Sequence, residues 1–278
     1  MGKRPVDVVV LSDIHLGTYG CRATELLTYL RSIEPQLVVL NGDIIDIWQF
    51  SKRYFPASHM AVLNELLSMV SNGVRVIYIT GNHDEHLIRY GDLHLGKFQL
   101  TDKLLLEIDQ KITWIFHGDA FDNTSRTGAR FWAKMGSSGY ALLLGANRLI
   151  NQALLLMGRE KLSLSKSVME KVNKAIIRIN DFETMAAELA IEKKYDYVIC
   201  GHIHQPQKRI ISNGKGSVMY MNCGDWVEHL TALEYYNKNW QLYTYNEKTM
   251  KLVVKQILPD ARVMPEAVDL YLHSLQRI

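Results

Sequence analysis

The sequence predicts an α/β fold with parallel strands, interrupted by one helical insert. Short β-branched, apolar runs alternate with helix-like patterns as far as Ile79, as expected when crossover helices join parallel strands. Each run ends in a cluster of polar residues. Because ligands of open α/β sheets bind outside the carboxyl ends of strands, these clusters are candidate site residues.

The first part of the chain contains five predicted elements. In chain order they are a strand at Val6–Leu11, a helix near Arg22–Arg31, a strand at Leu37–Leu40, a helix near Ala57–Ser71 and a strand at Val74–Ile79. The pattern then changes to two strand-like runs, Phe98–Ile108 and Ile112–Phe116. They are close enough in sequence to predict an antiparallel pair.

The second part begins with a long helical stretch. From Phe121 to about Lys194, apolar residues recur at helical spacing without β-like runs. Strands are again predicted at Tyr197–Cys200 and Ser217–Met221, and a hairpin at Thr231–Tyr245. The predicted organisation is one core, residues 1–120 and 195–278, with a helical lid insert at 121–194.

Composition excludes several classes of protein. With 278 residues, 47% of them hydrophobic and 22% charged, the chain can bury a large core without disulfides. Its three cysteines form no C-x-x-C pair, which suits a reducing compartment. The apolar run Val8–Leu11 is too short for a signal-peptide core, and the most apolar window, Tyr140–Met157, contains polar residues that argue against a membrane span. We therefore expect a cytoplasmic protein.

Five of the ten histidines lie in the polar clusters, together with two aspartates and an asparagine: His15, His83, His117, His202, His204, Asp13, Asp43 and Asn82. One histidine at a strand end is usually structural, but this explanation has to account for five at once. Imidazole and carboxylate groups bind borderline divalent metals such as manganese, iron or zinc. Eight convergent donors exceed the needs of one ion, so the sequence predicts two.

The order of these clusters resembles that of the calcineurin-like metallophosphoesterases. The matching motifs are Asp13-x-His15, Gly42-Asp43, Gly81-Asn82-His83-Asp84, His117 and Gly201-His202-x-His204. The resemblance implies a four-layer α/β/β/α sandwich. It also implies one metal held by Asp13, His15 and His204, a second held by Asn82, His117 and His202, and Asp43 bridging the two.

Two metals would activate a water and clamp the phosphate oxygens, so the reaction needs no protein nucleophile. We expect His83 to donate a proton to the leaving oxygen or to stabilise the transition state, with Asp84 fixing its tautomer or raising its basicity. The alternative is that His83 has only a structural role behind the metal ligands.

The insert carries most of the information on substrate. Residues 121–180 contain ten basic and three acidic residues, a net charge of +7 that leaves −4 for the rest of a chain whose total is +3. They also contain the leucine-rich runs Tyr140–Gly145 and Ala153–Gly158. These runs could pack on the core, but with the basic excess they suit a lid that clamps acyl chains and phosphate at a membrane surface.

A closer resemblance is to the UDP-2,3-diacylglucosamine diphosphatase branch of lipid A biosynthesis. It is carried by Ser12–Gly17, Gly42–Trp48, His117–Asp119, Lys166–Lys171 and Gly224–Trp226. The resemblance implies an amphipathic nucleotide-sugar lipid as substrate, UMP as a product, and a peripheral position on the cytoplasmic face of the inner membrane. Candidate substrate-binding residues are Asp122, Arg126, Lys166 and Lys171.

Three alternatives remain open. His83 stands where that branch commonly has arginine, which leaves room for another lipid-linked or nucleotide phosphoester. A broader phosphodiesterase or nuclease would show no acyl requirement, although nucleic acid is disfavoured because aromatic residues are sparse among the basic ones. A non-catalytic binding module would be free to lose metal ligands, which are complete here. Manganese is the preferred metal, with iron and zinc as alternatives.

Overall fold

A computed structural model describes residues 3–48, 54–90, 93–121 and 182–247. Its elements are, in chain order, β1 (Arg4–Leu11), α1 (Ala23–Ser32), β2 (Ile33–Asn41), α2 (Ala57–Ser71), β3 (Arg75–Ile79), the 3₁₀ helix Glu85–Tyr90, β4 (His94–Leu95), β5 (Phe98–Thr101), β6 (Lys103–Ile108), β7 (Lys111–Phe116), the 3₁₀ turn Asp119–Phe121, α3 (182–192), β8 (Tyr197–Cys200), β9 (Gln207–Asn213), β10 (Gly216–Asn222), β11 (Thr231–Tyr236) and β12 (Asn239–Thr244).

The described strands form two sheets. The first sheet has the order β12-β11-β1-β2-β3-β5-β4, and the second has the order β6-β7-β8-β10-β9. In the first sheet β1, β2, β3 and β5 are parallel, as the alternation of strands and helices predicts. In the second sheet β7, β8 and β10 are parallel. The carboxyl ends of these central strands carry the predicted polar clusters.

Three apolar layers hold the elements together. The helices α1 and α2 cover one face of the first sheet through residues such as Leu26, Leu30 and Val62. The two sheets pack face to face through the side chains Val10, Val39, Ile77, Ile115, Ile199 and Met221. The outer face of the second sheet is covered by α3, whose Ala186, Ala187 and Ala190 are fully buried. The order of layers is therefore helix, sheet, sheet, helix, which confirms the predicted sandwich.

The predicted lid insert, 121–194, lies outside the described residues from 122 to 181. Its last part is described as α3, which packs on the second sheet and is tied to β9 by an ion pair between Glu183 and Arg209. This part of the predicted insert thus belongs to the outer helical layer of the core. The chain from residue 248 onward also lies outside the description, and no described helix is long and apolar enough to cross a membrane.

The strand-like run Phe98–Ile108 is two strands rather than one. β5 joins the first sheet beside β3, whereas β6 pairs with β7 in the second sheet. The antiparallel pairing with Ile112–Phe116 is confirmed for β6 only. The predicted hairpin is also confirmed, since β11 and β12 pair across Asn237 and Lys238. Both residues have positive φ, 51° and 60°, as the common two-residue hairpin turn requires.

One buried carboxylate ties β1 to β11. Arg4 donates two hydrogen bonds of 2.7 and 2.6 Å to Glu234, which also accepts one of 2.7 Å from the Tyr29 hydroxyl. We expect Arg4→Ala to lower the free energy of unfolding in urea by about 1–2 kcal/mol, because Glu234 stays buried without its cation. Arg22→Ala, which removes the exposed ion pair with Glu25, should cost under about 0.5 kcal/mol. Equal losses would contradict the role of Glu234.

Candidate metal centre

Loops from both sheets converge on one site. Asp13 and His15 follow β1, Asp43 follows β2 and Asn82 follows β3, whereas His117, His202 and His204 follow strands of the second sheet. Five of these residues have left-handed backbone conformations, with φ between 52° and 65°: Asp13, His15, Asp43, His202 and His204. Non-glycine residues adopt this region at a cost of about 1 kcal/mol or more each, so surrounding contacts must hold the loops.

Backbone hydrogen bonds between the loops supply this restraint. The amide of Asp13 donates to the carbonyl of Gly42 at 3.1 Å, and that of His15 donates to Asp43 at 2.9 Å. The amide of Gly201 donates to the carbonyl of His117 at 2.9 Å. Each loop after a strand is thus fixed by the loop after its neighbour.

Two motif glycines are required because side chains of the site fill the space beside them. Gly42 has φ of 79°, and a Cβ atom there would overlap the ring of His117. A Cβ atom at Gly201 would overlap Ser12 and the carboxylate of Asp13. The glycines in Gly42-Asp43 and Gly201-His202 therefore allow the donors to approach one another.

The first group of donors contains Asp13, His15 and His204. His204 Nε2 lies 3.1 Å from Asp13 Oδ1 and 3.4 Å from His15 Nε2. The other carboxylate oxygen, Asp13 Oδ2, accepts a hydrogen bond of 3.0 Å from the amide of His202. This bond fixes the carboxylate so that Oδ1 faces the two imidazoles.

The second group contains Asp43, His117 and His202, with one donor atom of each lying within 4.8 Å of the others. His117 Nδ1 lies 2.9 Å from the carbonyl of Asn41, where only a protonated nitrogen can bond. Its Nε2, which faces Asp43 Oδ2 at 3.4 Å, is therefore the atom left to bind a metal ion or a second proton. Asp43 also groups with His15 and His83, so it stands between the two sets of donors.

These residues fit divalent metal ions. Carboxylates and imidazoles converge in both groups, and this donor set suits borderline metals. The buried oxygen Oδ1 of Asn82 has no hydrogen-bond partner within the described part of the chain, and a metal would satisfy such an oxygen. The predicted aspartate and histidine ligands are therefore brought together, whereas Asn82 as a ligand stays a prediction that its buried oxygen supports.

The potential of the site also favours cations. Burial would raise the pKa of Asp13, but the nearby His204 and His117 lower it to about 2. Burial would lower the pKa of His204, but Asp13 and Asp225 raise it to about 9. The pKa of His117 is likewise raised, against the effect of burial, by Asp43. The carboxylates of Asp13, Asp43 and Asp225 thus stay ionised although they are buried. Their negative charge favours the binding of protons or metal ions at the neighbouring histidines.

Asp46, and not Asp84, lies beside the ring of His83. Its Oδ2 is 2.9 Å from His83 Nδ1 and 3.4 Å from His15 Nδ1. The oxygens of Asp84 instead accept hydrogen bonds from the amides of Ile44 and Gly81 and from the Tyr78 hydroxyl. The prediction that Asp84 orients His83 is therefore wrong, because Asp84 ties the loops after β2 and β3 together.

His83 itself lies beside the donors, within reach of His15 and Asp43, and its catalytic role stays a prediction. Its Nε2 is 3.9 Å from Asp43 Oδ2, and its amide donates a hydrogen bond of 2.8 Å to Asp43 Oδ1. The ring contacts His15 edge-on at 4.7 Å and Trp48 at 4.5 Å between centroids. With Asp46 at Nδ1, the Nε2 atom is the one directed toward Asp43.

Sequence reasoning also missed Asp225 and His229. Asp225 Oδ2 lies 2.6 Å from His229 Nδ1 and 3.7 Å from His204 Nδ1. Its Oδ1 accepts hydrogen bonds from the amides of residues 227, 228 and 229. Gly224-Asp225-Trp226 contributed to the resemblance, but nothing in its spacing indicated contact with His204.

The four predicted substrate-binding residues, Asp122, Arg126, Lys166 and Lys171, lie outside the described residues. Their assignment stays a prediction.

Comparison with known proteins agrees with this site. The family model of the calcineurin-like phosphoesterases matches residues 6–206, which include every candidate ligand. This chain belongs to the calcineurin-like phosphoesterase family. It is thus a metal-dependent phosphoester hydrolase that uses divalent ions.

Several curated relatives of this phosphoesterase are named UDP-2,3-diacylglucosamine hydrolase. The protein from Aliivibrio fischeri (strain MJ11) is 22% identical over 88% of this chain and 99% of its own length. The protein from Stenotrophomonas maltophilia (strain R551-3) is 24% identical over 86% of this chain and 98% of its own length. Among solved structures, the phosphoesterase Yfce from E. coli aligns with 86% of this chain and 99% of its own, at 13% identity and a TM-score of 0.41.

Metal binding should stabilise the fold, because the donors are buried and converge only in the folded state. We expect Mn²⁺ at about one hundred times its Kd to raise the Tm of metal-free protein by roughly 5 °C. Asp43→Ala should lose most of this shift, whereas Asp7→Ala, in the middle of β1 and outside the donor groups, should keep it. An equal shift in both variants would argue against binding at this site.

The contact of Asp46 with His83 predicts a second effect. Asp46→Asn should lower kcat for a bis-aryl phosphodiester about 10- to 100-fold at saturating Mn²⁺. Atomic absorption should show that the variant still binds two metal ions per chain. Asp84→Asn should instead lower Tm, because Asp84 connects two loops. A wild-type kcat in Asp46→Asn would refute the role of Asp46.

Proposed function

We propose that this phosphoesterase cleaves the diphosphate of UDP-2,3-diacylglucosamine, or of a close amphipathic relative, and releases UMP. The proposal rests on two neighbouring donor groups, because Asp43 of the second group also lies within reach of His15 of the first, and this arrangement suits a two-metal phosphoester site. The names of the relatives, which match nearly full length, support the substrate. Manganese is our preferred metal. One ion would be held by Asp13, His15 and His204, and the other by Asn82, His117 and His202. Asp43 would bind both ions.

Bound divalent ions would supply a nucleophile from water at neutral pH and neutralise charge on the phosphate oxygens. The task of the chain is to hold the donors in fixed positions. The amide of His83 orients Asp43 through Oδ1, which leaves Oδ2 directed toward His117. The carbonyl of Asn41 fixes the His117 ring in the same way.

His83 is our candidate for the group that protonates the leaving oxygen. Burial would lower its pKa, but the hydrogen bond to Asp46 and the charge of Asp43 raise it. A protonated His83 can donate through Nε2, the ring atom directed toward Asp43, while Nδ1 is held by Asp46. The departing phosphate or uridylate oxygen would receive this proton.

A broader phosphodiesterase activity is the second candidate. It is favoured by His83 itself, which replaces the arginine common in the diphosphatase branch. A histidine supplies a transferable proton, which serves phosphoesters in general, whereas arginine supplies only a fixed charge. The two candidates differ in whether the acyl chains of the substrate contribute to kcat/KM.

The deciding experiment compares three substrates of manganese-loaded full-length protein: UDP-2,3-diacylglucosamine, its deacylated counterpart and a bis-aryl phosphodiester. We expect kcat/KM to be at least about a hundredfold higher for the acylated substrate, because burying even part of two acyl chains contributes several kcal/mol. Equal values for all three would refute the proposed substrate. Asp43→Ala should abolish all three activities and so exclude contaminating hydrolases.

A further inference from the structure

Exposed apolar side chains are concentrated on one part of the first sheet. Among the thirteen large hydrophobic residues exposed in the described ranges, six belong to α2, to the 3₁₀ helix Glu85–Tyr90 or to β4 and the residue before it: Met60, Leu67, Ile88, Tyr90, Leu93 and Leu95. Single exposed apolar residues are ordinary, but a group of them marks an interaction surface. We call these six residues the α2–β4 surface.

The strand pairing places Leu93 and Leu95 on the helix-covered face of the sheet. Leu95 is directly opposite Phe98, and the carbonyl of Leu93 accepts a hydrogen bond from the amide of Leu100. Phe98 and Leu100 pack with the core formed by α1 and α2. Residues opposite each other in antiparallel strands share a face, so Leu93 and Leu95 extend that face to the edge strand.

The exposed side of α2 is turned toward the same edge. Glu65 pairs with Arg31 of α1 on one side of the helix. Met60 and Leu67 are seven residues apart and therefore share a side, which helical geometry places opposite Glu65 and away from α1. In the strand order, β5 and β4 lie beyond β3 on the side of α2 that faces away from α1. Within the described ranges, α1 and α2 are the α-helices that cover this face, and neither covers β4.

The surface begins at the metal centre. The residue before Met60, His59, accepts a hydrogen bond of 2.9 Å from the amide of Gly17, two residues after His15. The helix Glu85–Tyr90 starts two residues after His83 and contacts β5. Its exposed Arg89, together with Lys97 in the turn between β4 and β5, outweighs Glu85, the exposed acidic residue of the same helix, so positive charge adjoins the apolar residues in sequence.

We propose that the α2–β4 surface rests on an anionic lipid bilayer and holds the metal centre next to it. We infer a bilayer as the binding partner because the proposed substrate is lipid-linked and because the cationic residues Arg89 and Lys97 adjoin the apolar side chains. The inference thus depends on the proposed function. Leucine, methionine and tyrosine side chains partition into the headgroup boundary, and neighbouring lysine and arginine are attracted to anionic headgroups. A lipid-anchored phosphoester could then reach the site without leaving the membrane.

The test is cosedimentation of the full-length protein with vesicles of phosphatidylethanolamine and phosphatidylglycerol. The wild type should bind, and Leu67→Ser with Leu95→Ser should weaken binding at least about tenfold. The matched control is Leu105→Ser with Ile210→Ser, which removes two apolar residues of similar exposure on the second sheet and should leave binding unchanged. Arg89→Gln with Lys97→Gln should weaken binding to these vesicles but not to phosphatidylcholine alone.

All these variants should hydrolyse the soluble bis-aryl phosphodiester at the wild-type rate, which shows that they are folded. Wild-type vesicle binding by the Leu67→Ser, Leu95→Ser variant, or no binding by the wild type, would overturn the bilayer contact. Loss of self-association in this variant, without any vesicle binding, would overturn it in favour of an interface between copies of the chain. None of these results would change the preference for the acylated substrate measured in detergent. The proposed function and the bilayer contact can therefore be refuted independently.

Discussion

The structure depends on three carboxylates buried where the two sheets meet. Asp13, Asp43 and Asp46 are almost fully buried, and isolated carboxylates are costly to bury because they lose their hydration. Each is compensated by groups within reach: His204 and the amide of His202 for Asp13, the amide of His83 and the ring of His117 for Asp43, and the rings of His83 and His15 for Asp46. Protons or metal ions complete the neutralisation. The centre therefore couples its charge balance to the packing of the fold.

The face-to-face packing of the sheets creates this arrangement. One sheet provides Asp13, His15, Asp43 and Asn82, and the other provides His117, His202 and His204. The groups around His204 and His117 draw on both sheets, because each combines an aspartate of the first sheet with a histidine of the second. The apolar layer between the sheets, which includes Val39, Ile77 and Ile199, is what brings the groups together. Left-handed backbone at five of the donors is held by the hydrogen bonds between neighbouring loops.

The fold and the donors could be predicted from the sequence, whereas the residues behind the donors could not. Strand runs ending in polar clusters are local patterns, so β1, β2, β3 and β8 and their ligands were evident. The partner of His83 depends on the path of the loop after β2, which carries Asp46 to the ring although Asp84 is adjacent in sequence. Asp225 is similar, since its contact with His204 arises from a turn that its own Oδ1 stabilises. β4 has only two residues, and β9 is largely exposed, so neither has a distinct apolar pattern.

The two-metal arrangement is tested most directly by anomalous diffraction from crystals of the protein grown with Mn²⁺. We expect two peaks, one beside Asp13 and His204 and the other beside His117 and His202, with Asp43 next to both. A single peak, or peaks away from these side chains, would contradict it.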